Sequence, residues 1–154
     1  MKTVFKDEKV RNKMKLCLPS FSVNEGMARA AVAAFCSQLD PDAIDIADIK
    51  CAVSEAVTNC IVHAYRGTQG LIYITVTLYS DSTVKIEIRD RGCGIPDVKA
   101  AREPLFTTDA AGERSGMGFT VMESFTDGVR VRSRVGVGTT VTMIKNLSKG
   151  KQTE

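Results

Sequence analysis

Glu55 and Asn59 stand four residues apart in a helix-forming stretch, so their side chains share one face. A carboxylate there could act as a general base. An amide oxygen beside it could serve a hard cation such as Mg²⁺, which takes one or two protein ligands and fills its shell with water and phosphate oxygens. Asp90 leads the string Asp90-Arg91-Gly92-Cys93-Gly94 at the end of an alternating stretch. A carboxylate in that place accepts the amino hydrogens of adenine and repels the carbonyl of guanine, while Gly92 and Gly94 let the backbone approach a flat base. Gly116-Met117-Gly118, ahead of a second helix-forming stretch, offers free amides and a positive dipole end to phosphate, with Arg114 near enough to meet a terminal phosphate. Thr139, after Gly136-Val137-Gly138, opens the last strand.

Each feature alone has an ordinary reading. An isolated Glu-x-x-x-Asn is usually a solvated helix face, Asp-x-Gly is common turn chemistry, a Gly-x-Gly is a connector, and a Thr after a hairpin is a β-former. The second glycine pair has no Walker lysine and is not GxGxxG. The combination, in this order and on these elements, is what points to a nucleotide.

The elements that must position these residues are legible from periodicity. Met14 to Leu18 forms a short edge strand ending at Pro19. Ser22-Val23-Asn24-Glu25 has capping-box spacing and opens a helix through Ala28, Ala31, Val32 and Phe35 towards Leu39. Asp40-Pro41-Asp42 breaks that helix. A longer one runs from about Ile46 to Tyr65, with Ile49, Ala52, Val53, Ala56, Val57, Cys60 and Ile61 recurring at steps of three and four. Leu71–Tyr79 is dense in β-branched and aromatic residues. In Val84–Arg89, apolar Val84, Ile86 and Ile88 alternate with Lys85, Glu87 and Arg89, the pattern of a sheet covered on one face. A loop with a short helix, a glycine-rich linker, a helix from Gly118 to Phe125, and a hairpin pairing Val129–Val135 with Thr139–Ile144 complete the chain. The expected class is α+β: a two-layer sandwich with helices on one face of a largely antiparallel sheet. Residues 1–12 read as a flexible extension, 13–146 as the domain and 147–154 as a polar tail.

Composition narrows the function classes. A chain of 154 residues holds one domain with its own core. The net charge of +3, with no dense basic run, does not support a nucleic-acid footprint. Five cysteines without a CxxC pair argue against a zinc knuckle or a disulfide framework, and favour reduced, buried thiols in a cytoplasmic protein. The lysine-rich first fifteen residues contain no apolar segment of a secretory signal, and no stretch is long enough to span a membrane.

Glu55…Asn59, Asp90-x-Gly92-x-Gly94, Gly116-x-Gly118 and Gly136-x-Gly138-Thr139 resemble the four nucleotide-binding boxes of the Bergerat-fold ATPases, which include gyrase subunits, a heat-shock chaperone and histidine kinases. Within that group Ser54–Asn59, Pro104-Leu105-Phe106-Thr107-Thr108 and Glu113–Phe119 are similar to the serine-kinase branch, the anti-sigma F factors of endospore-forming bacteria.

That resemblance implies a protein that silences a sporulation sigma factor and uses ATP and Mg²⁺ to phosphorylate a serine on an anti-anti-sigma partner. It implies Glu55 as the catalytic base, Asn59 as the Mg²⁺ ligand, Asp90 and Thr139 with Gly92 and Gly94 as the adenine site, and Arg114, Ser115, Gly116, Met117, Gly118 and Phe119 as the phosphate site. Residues 104–115, with Thr107 and Thr108, would form a lid over the nucleotide. Glu25 and Arg29 would contact the protein partners. A homodimer without direct nucleic-acid or membrane contact is implied as well. Rival readings are a general-stress switch kinase of the same fold, a sigma-binding module holding ATP as a structural ligand, and a detached histidine-kinase catalytic domain. His63 is expected to be structural and Cys93 a small filler.

Overall fold

The computed structural model describes residues 9–103 and 118–147. Its scaffold is a five-stranded, wholly antiparallel sheet in the order β1-β2-β3-β5-β4, built from β1 (Val10–Pro19), β2 (Leu71–Tyr79), β3 (Thr83–Asp90), β4 (Gly128–Arg134) and β5 (Gly138–Asn146). Helices α1 (Asn24–Cys36), α2 (Ala43–Asn59) and α4 (Gly118–Phe125) cover one face, and α3 (Val98–Ala101) is a single turn.

The alternation read in the sequence is the alternation observed. Val84, Ile86 and Ile88 are buried, Lys85 and Glu87 are half-buried, and Arg89 is exposed. Register then assembles the core. Ile74 faces Ile88, Val76 faces Ile86, and Ile86 faces Met143, so one row of aliphatic side chains crosses the sheet. Val32 from α1, Ile49, Val53 and Val57 from α2, and Met122 from α4 close over it in one cluster. Fully burying each such side chain contributes about 1.5–3 kcal/mol. Lys145 emerges on the helix side and meets Asp48 at 3.0 Å and Asp45 at 3.7 Å, tying β5 to α2.

Local chemistry differs from expectation at several points. The strand expected over Met14–Leu18 begins already at Val10, because β1 pairs with β2 from Val10↔Tyr79 to Pro19↔Leu71. The capping box at Ser22–Glu25 is not formed. Val23 occupies the cap position without a side-chain cap, and the Glu25 carboxylate is taken by other partners instead, Arg29 and Ser54. The long helix starts three residues earlier than expected, since Asp42 caps it by accepting from the Asp45 amide at 2.7 Å. It stops at Asn59, and Cys60–Ala64 continue as a π-helical turn. The thiols are free, but only Cys36 and Cys60 are buried. Cys17, Cys51 and Cys93 are exposed, which corrects the expectation of buried cysteines and of Cys93 as a filler. Among the described residues no helix is long and apolar enough to cross a membrane.

Candidate nucleotide site

The site is built where α2, α4 and the ends of β3 and β5 converge. Glu55 and Asn59 occupy the last turn of α2, both half-buried. Gly118 opens α4 directly against them: a Cβ placed on it would lie 3.2 Å from Asn59 Oδ1 and 3.5 Å from Glu55 Oε2. The first amides of a helix have no partner within it and carry its positive dipole end. A carboxylate, a neutral amide oxygen and that helix start therefore share one small volume. This donor set suits phosphate together with a hard cation. Among the described residues no group of three or more His, Cys, Asp or Glu could hold a metal ion, so a resident cation here would rely on Asn59 and on oxygens from outside the chain.

Asp90 closes β3, is 6% exposed, and stands opposite Thr139 in the ladder with β5. Its Oδ1 accepts from the Gly92 amide at 2.9 Å and from the Thr139 amide at 3.2 Å. Burial raises the carboxyl above its ordinary 3.8, opposed by those two amides and by the Cys60 side chain. Cys60, the residue after Asn59, has its thiol pushed well up by burial and then by the charge of Asp90. The π-helical turn thus links the Glu55–Asn59 pair to Asp90.

The glycines are required sterically. A Cβ on Gly92 would collide with the Ala64 carbonyl, which accepts from the Cys93 amide at 3.0 Å. Gly94 has φ +79°, and a side chain there would meet the Arg134 carbonyl. The loop is stitched to the β4–β5 hairpin by Ile95 N donating to Ser133 Oγ at 2.7 Å and Gly136 N donating to the Cys93 carbonyl at 2.9 Å. Ser133 Oγ also lies 2.8 Å from Thr139 Oγ1.

The fold therefore brings Glu55, Asn59, Gly118, Asp90, Gly92, Gly94 and Thr139 to one end of the sheet. Phe119 is buried under α4. Its side chain belongs to the core, which leaves only its amide available to a phosphate. Thr107, Thr108, Arg114, Ser115, Gly116 and Met117 lie outside the described residues. Glu25 and Arg29 sit together on α1, their side chains 3.2 Å apart. Glu25 also accepts from the Ser54 hydroxyl, one residue before Glu55, so the first helix is tethered to the helix of the candidate base.

Sequence reasoning missed Cys60 and Tyr65. The Tyr65 hydroxyl donates to the Leu71 carbonyl at 2.6 Å and accepts from the Arg91 amide at 2.6 Å, joining the end of the π-helical turn to β2 and to the residue after Asp90. Only its place shortly beyond Asn59 hinted at this. The His63 backbone carbonyl accepts from Arg66 Nε at 3.2 Å and from the Cys93 thiol at 3.4 Å.

The family model for the histidine kinase-like ATPase domain matches residues 22–145. An anti-sigma F factor of Anoxybacillus flavithermus is 51% identical over 143 residues, covering 92% of this chain and 97% of the relative. The anti-sigma F factor of Bacillus subtilis is 50% identical with the same coverage. Among solved structures, the RsbU and RsbW domains of a Mycobacterium tuberculosis protein superpose with a TM-score of 0.65 at 23% identity, over 88% of this chain and 32% of that one, a likeness of fold. Sharing half its residues with relatives it spans almost end to end, and matching the ATPase family model over residues 22–145, the chain belongs to the anti-sigma F factor family.

Proposed function

We propose that this protein binds and inhibits a sporulation sigma factor and, with ATP and Mg²⁺, phosphorylates a serine on an anti-anti-sigma partner. The observation that carries the catalytic half is the close placement of the α4 start at Gly118 against Glu55 and Asn59, where an added Cβ would lie 3.5 Å from Glu55 Oε2 and 3.2 Å from Asn59 Oδ1. The anti-sigma half rests on relatives named anti-sigma F factor. ATP supplies the phosphoryl group and Mg²⁺ the counter-charge that its oxygens require when bound.

The chain's own residues supply position and a proton acceptor, which is most of what phosphoryl transfer asks of a protein. The Asp90 carboxylate accepts the adenine amino group. Its Oδ1 is held by the Gly92 and Thr139 amides, so the carboxylate is oriented before any base arrives. The amides at the start of α4 hold phosphate, and Asn59 Oδ1 is the protein ligand for the cation. Glu55 Oε2 takes the proton from the incoming serine hydroxyl. Glu25 and Arg29 form the partner contact, and the Ser54–Glu25 hydrogen bond joins that contact to the helix carrying Glu55. The working form is a cytoplasmic homodimer.

The test is incubation with γ-labelled ATP, Mg²⁺ and the cognate anti-anti-sigma protein, scoring acid-stable label. Glu55→Gln is expected to lose transfer by about 10²–10⁴-fold, the usual contribution of a positioned base, while nucleotide binding survives. Transfer within a few-fold of wild type would remove Glu55 from the role. Acid-labile label would point to histidine as the acceptor. ATP binding without label on any cognate partner would leave a sigma-binding module that holds ATP as a structural ligand.

A further inference from the structure

The sheet face turned away from the helices carries a charge that the modest total of +3 conceals. Ladder partners point to the same side, so register identifies the face. Lys13 and Lys15 on β1 stand opposite Thr77 and Thr75, and on the other edge Arg130 and Arg132 of β4 stand opposite Thr142 and Thr140. Arg134 continues that row, and all five edge cations are exposed. Among the described residues none of the five forms an ion pair. Between the edges, Arg89 and Arg91 lie over the Tyr73 ring at 4.6 and 5.0 Å. Glu87 is the only carboxylate on the described part of this face, and Lys85 neutralises it at 3.1 Å. At the Tyr73 end the face runs into a cleft of about 830 Å³ lined by Tyr65, Arg66, Tyr73, Arg91 and Cys93, which excludes Glu55, Asn59, Asp90 and Thr139.

We propose that this basic sheet face and its cleft dock an acidic segment of a protein partner. Four strand spacings separate the two edge rows, about 19 Å at the usual 4.8 Å, a breadth that fits within the ~800 Å² each partner contributes to a standard interface. Arginine predominates, and its planar fork pairs with carboxylates in two-pronged fashion. A second copy of the chain is disfavoured, because two such faces would repel. Nucleic acid is disfavoured by two features. Tyr73 is capped by two guanidiniums and cannot stack a base, and Glu87 would repel a phosphate chain while giving register to a protein. The docking surface is independent of the ATP chemistry, although the Arg91–Gly94 loop borders both sites.

The experiment is fluorescence anisotropy of a labelled glutamate-rich peptide with the full chain at about 150 mM salt, where exposed charges beyond about 8 Å are screened. The triple variant R130Q/R132Q/R134Q is compared with K50Q, which removes an exposed cation from α2 in the helix layer. Roughly twofold per exposed ion pair predicts a loss of close to tenfold for the triple variant, and a change within about twofold for the control. Equal weakening by both variants would overturn the proposal. Tighter binding of duplex DNA of matched charge, lost in the triple variant, would make the face a nucleic-acid surface instead. A change in oligomeric state by sedimentation with peptide binding unchanged would make it an interface between copies.

Discussion

Replacing Tyr65 by Phe removes one oxygen and nothing else, and that oxygen holds the loop after Asp90 in place. The ring is 6% exposed and packs over Gly70, where a Cβ would collide with it, so the substitution opens no cavity. Two hydrogen bonds of 2.6 Å disappear, one to the Leu71 carbonyl and one from the Arg91 amide. Burial raises the phenol above its ordinary 10.0, ahead of the opposing Arg91 amide, so the hydroxyl stays protonated through neutral pH and both bonds persist there. Each contributes about 0.5–1.5 kcal/mol net. The full penalty for stranded groups does not apply, because the adjoining cleft admits water to the Arg91 amide. The sum is about 2 kcal/mol, which lowers Tm by about 4–8 °C in a chain of this size. Freeing the residue after Asp90 should also weaken ADP binding by about three- to tenfold, equivalent to ~0.6–1.4 kcal/mol. Scanning calorimetry and ADP titration calorimetry read the two effects separately. A Tm within about 1 °C of wild type, with ADP affinity unchanged, would refute the bridging role of Tyr65.

Asp90→Asn should change how stability depends on pH. With its carboxyl raised above 3.8 by burial, the wild-type folded state binds this proton more tightly than the unfolded chain; the contribution is full below that ordinary value and is lost as pH rises through the folded one. The amide of the D90N variant does not titrate, so Tm measured from acid to neutral pH should rise for the variant relative to wild type, and a constant difference contradicts the linkage. Lys145→Met removes the cation shared by Asp48 and Asp45, with an expected loss of about 3 kcal/mol, the lower end for breaking a buried pair, since Asp48 keeps 21% side-chain exposure. Urea unfolding reads this directly, and a loss below about 1 kcal/mol would place the pair among surface bridges. Arg29→Ala breaks only an exposed pair with Glu25, so stability and ATP affinity should hold within about 1 kcal/mol while retention of sigma and anti-anti-sigma partners falls. Undiminished retention of both in a pull-down removes Arg29 from the interface.

What the sequence determined by itself was whatever depends on near neighbours. The period of two in Val84–Arg89 and the β-branched run Leu71–Tyr79 place two central strands within a residue of their observed ends, and the three- and four-residue steps from Ile49 to Ile61 place the central helix. Those patterns hold because alternation and helical pitch set which side chains share a face whatever lies opposite. The order of the boxes from Glu55 to Thr139 added, through a family resemblance, the expectation that Glu55, Asn59, Gly118, Asp90 and Thr139 serve one nucleotide site. Tertiary structure decided the rest, through contacts between residues far apart in the chain. Glu25 leaves its local capping role because Ser54, 29 residues away, offers its carboxylate a donor. The helix turns to π geometry after Asn59, where Cys60 reaches the buried carboxylate of Asp90. Tyr65 becomes a bridge because Leu71 and Arg91 arrive on either side of its hydroxyl. The lysines and arginines dispersed from Lys13 to Arg134 add up to little as net charge. They become one basic surface once antiparallel register sets which of them lie side by side, because charge acts through distance in space.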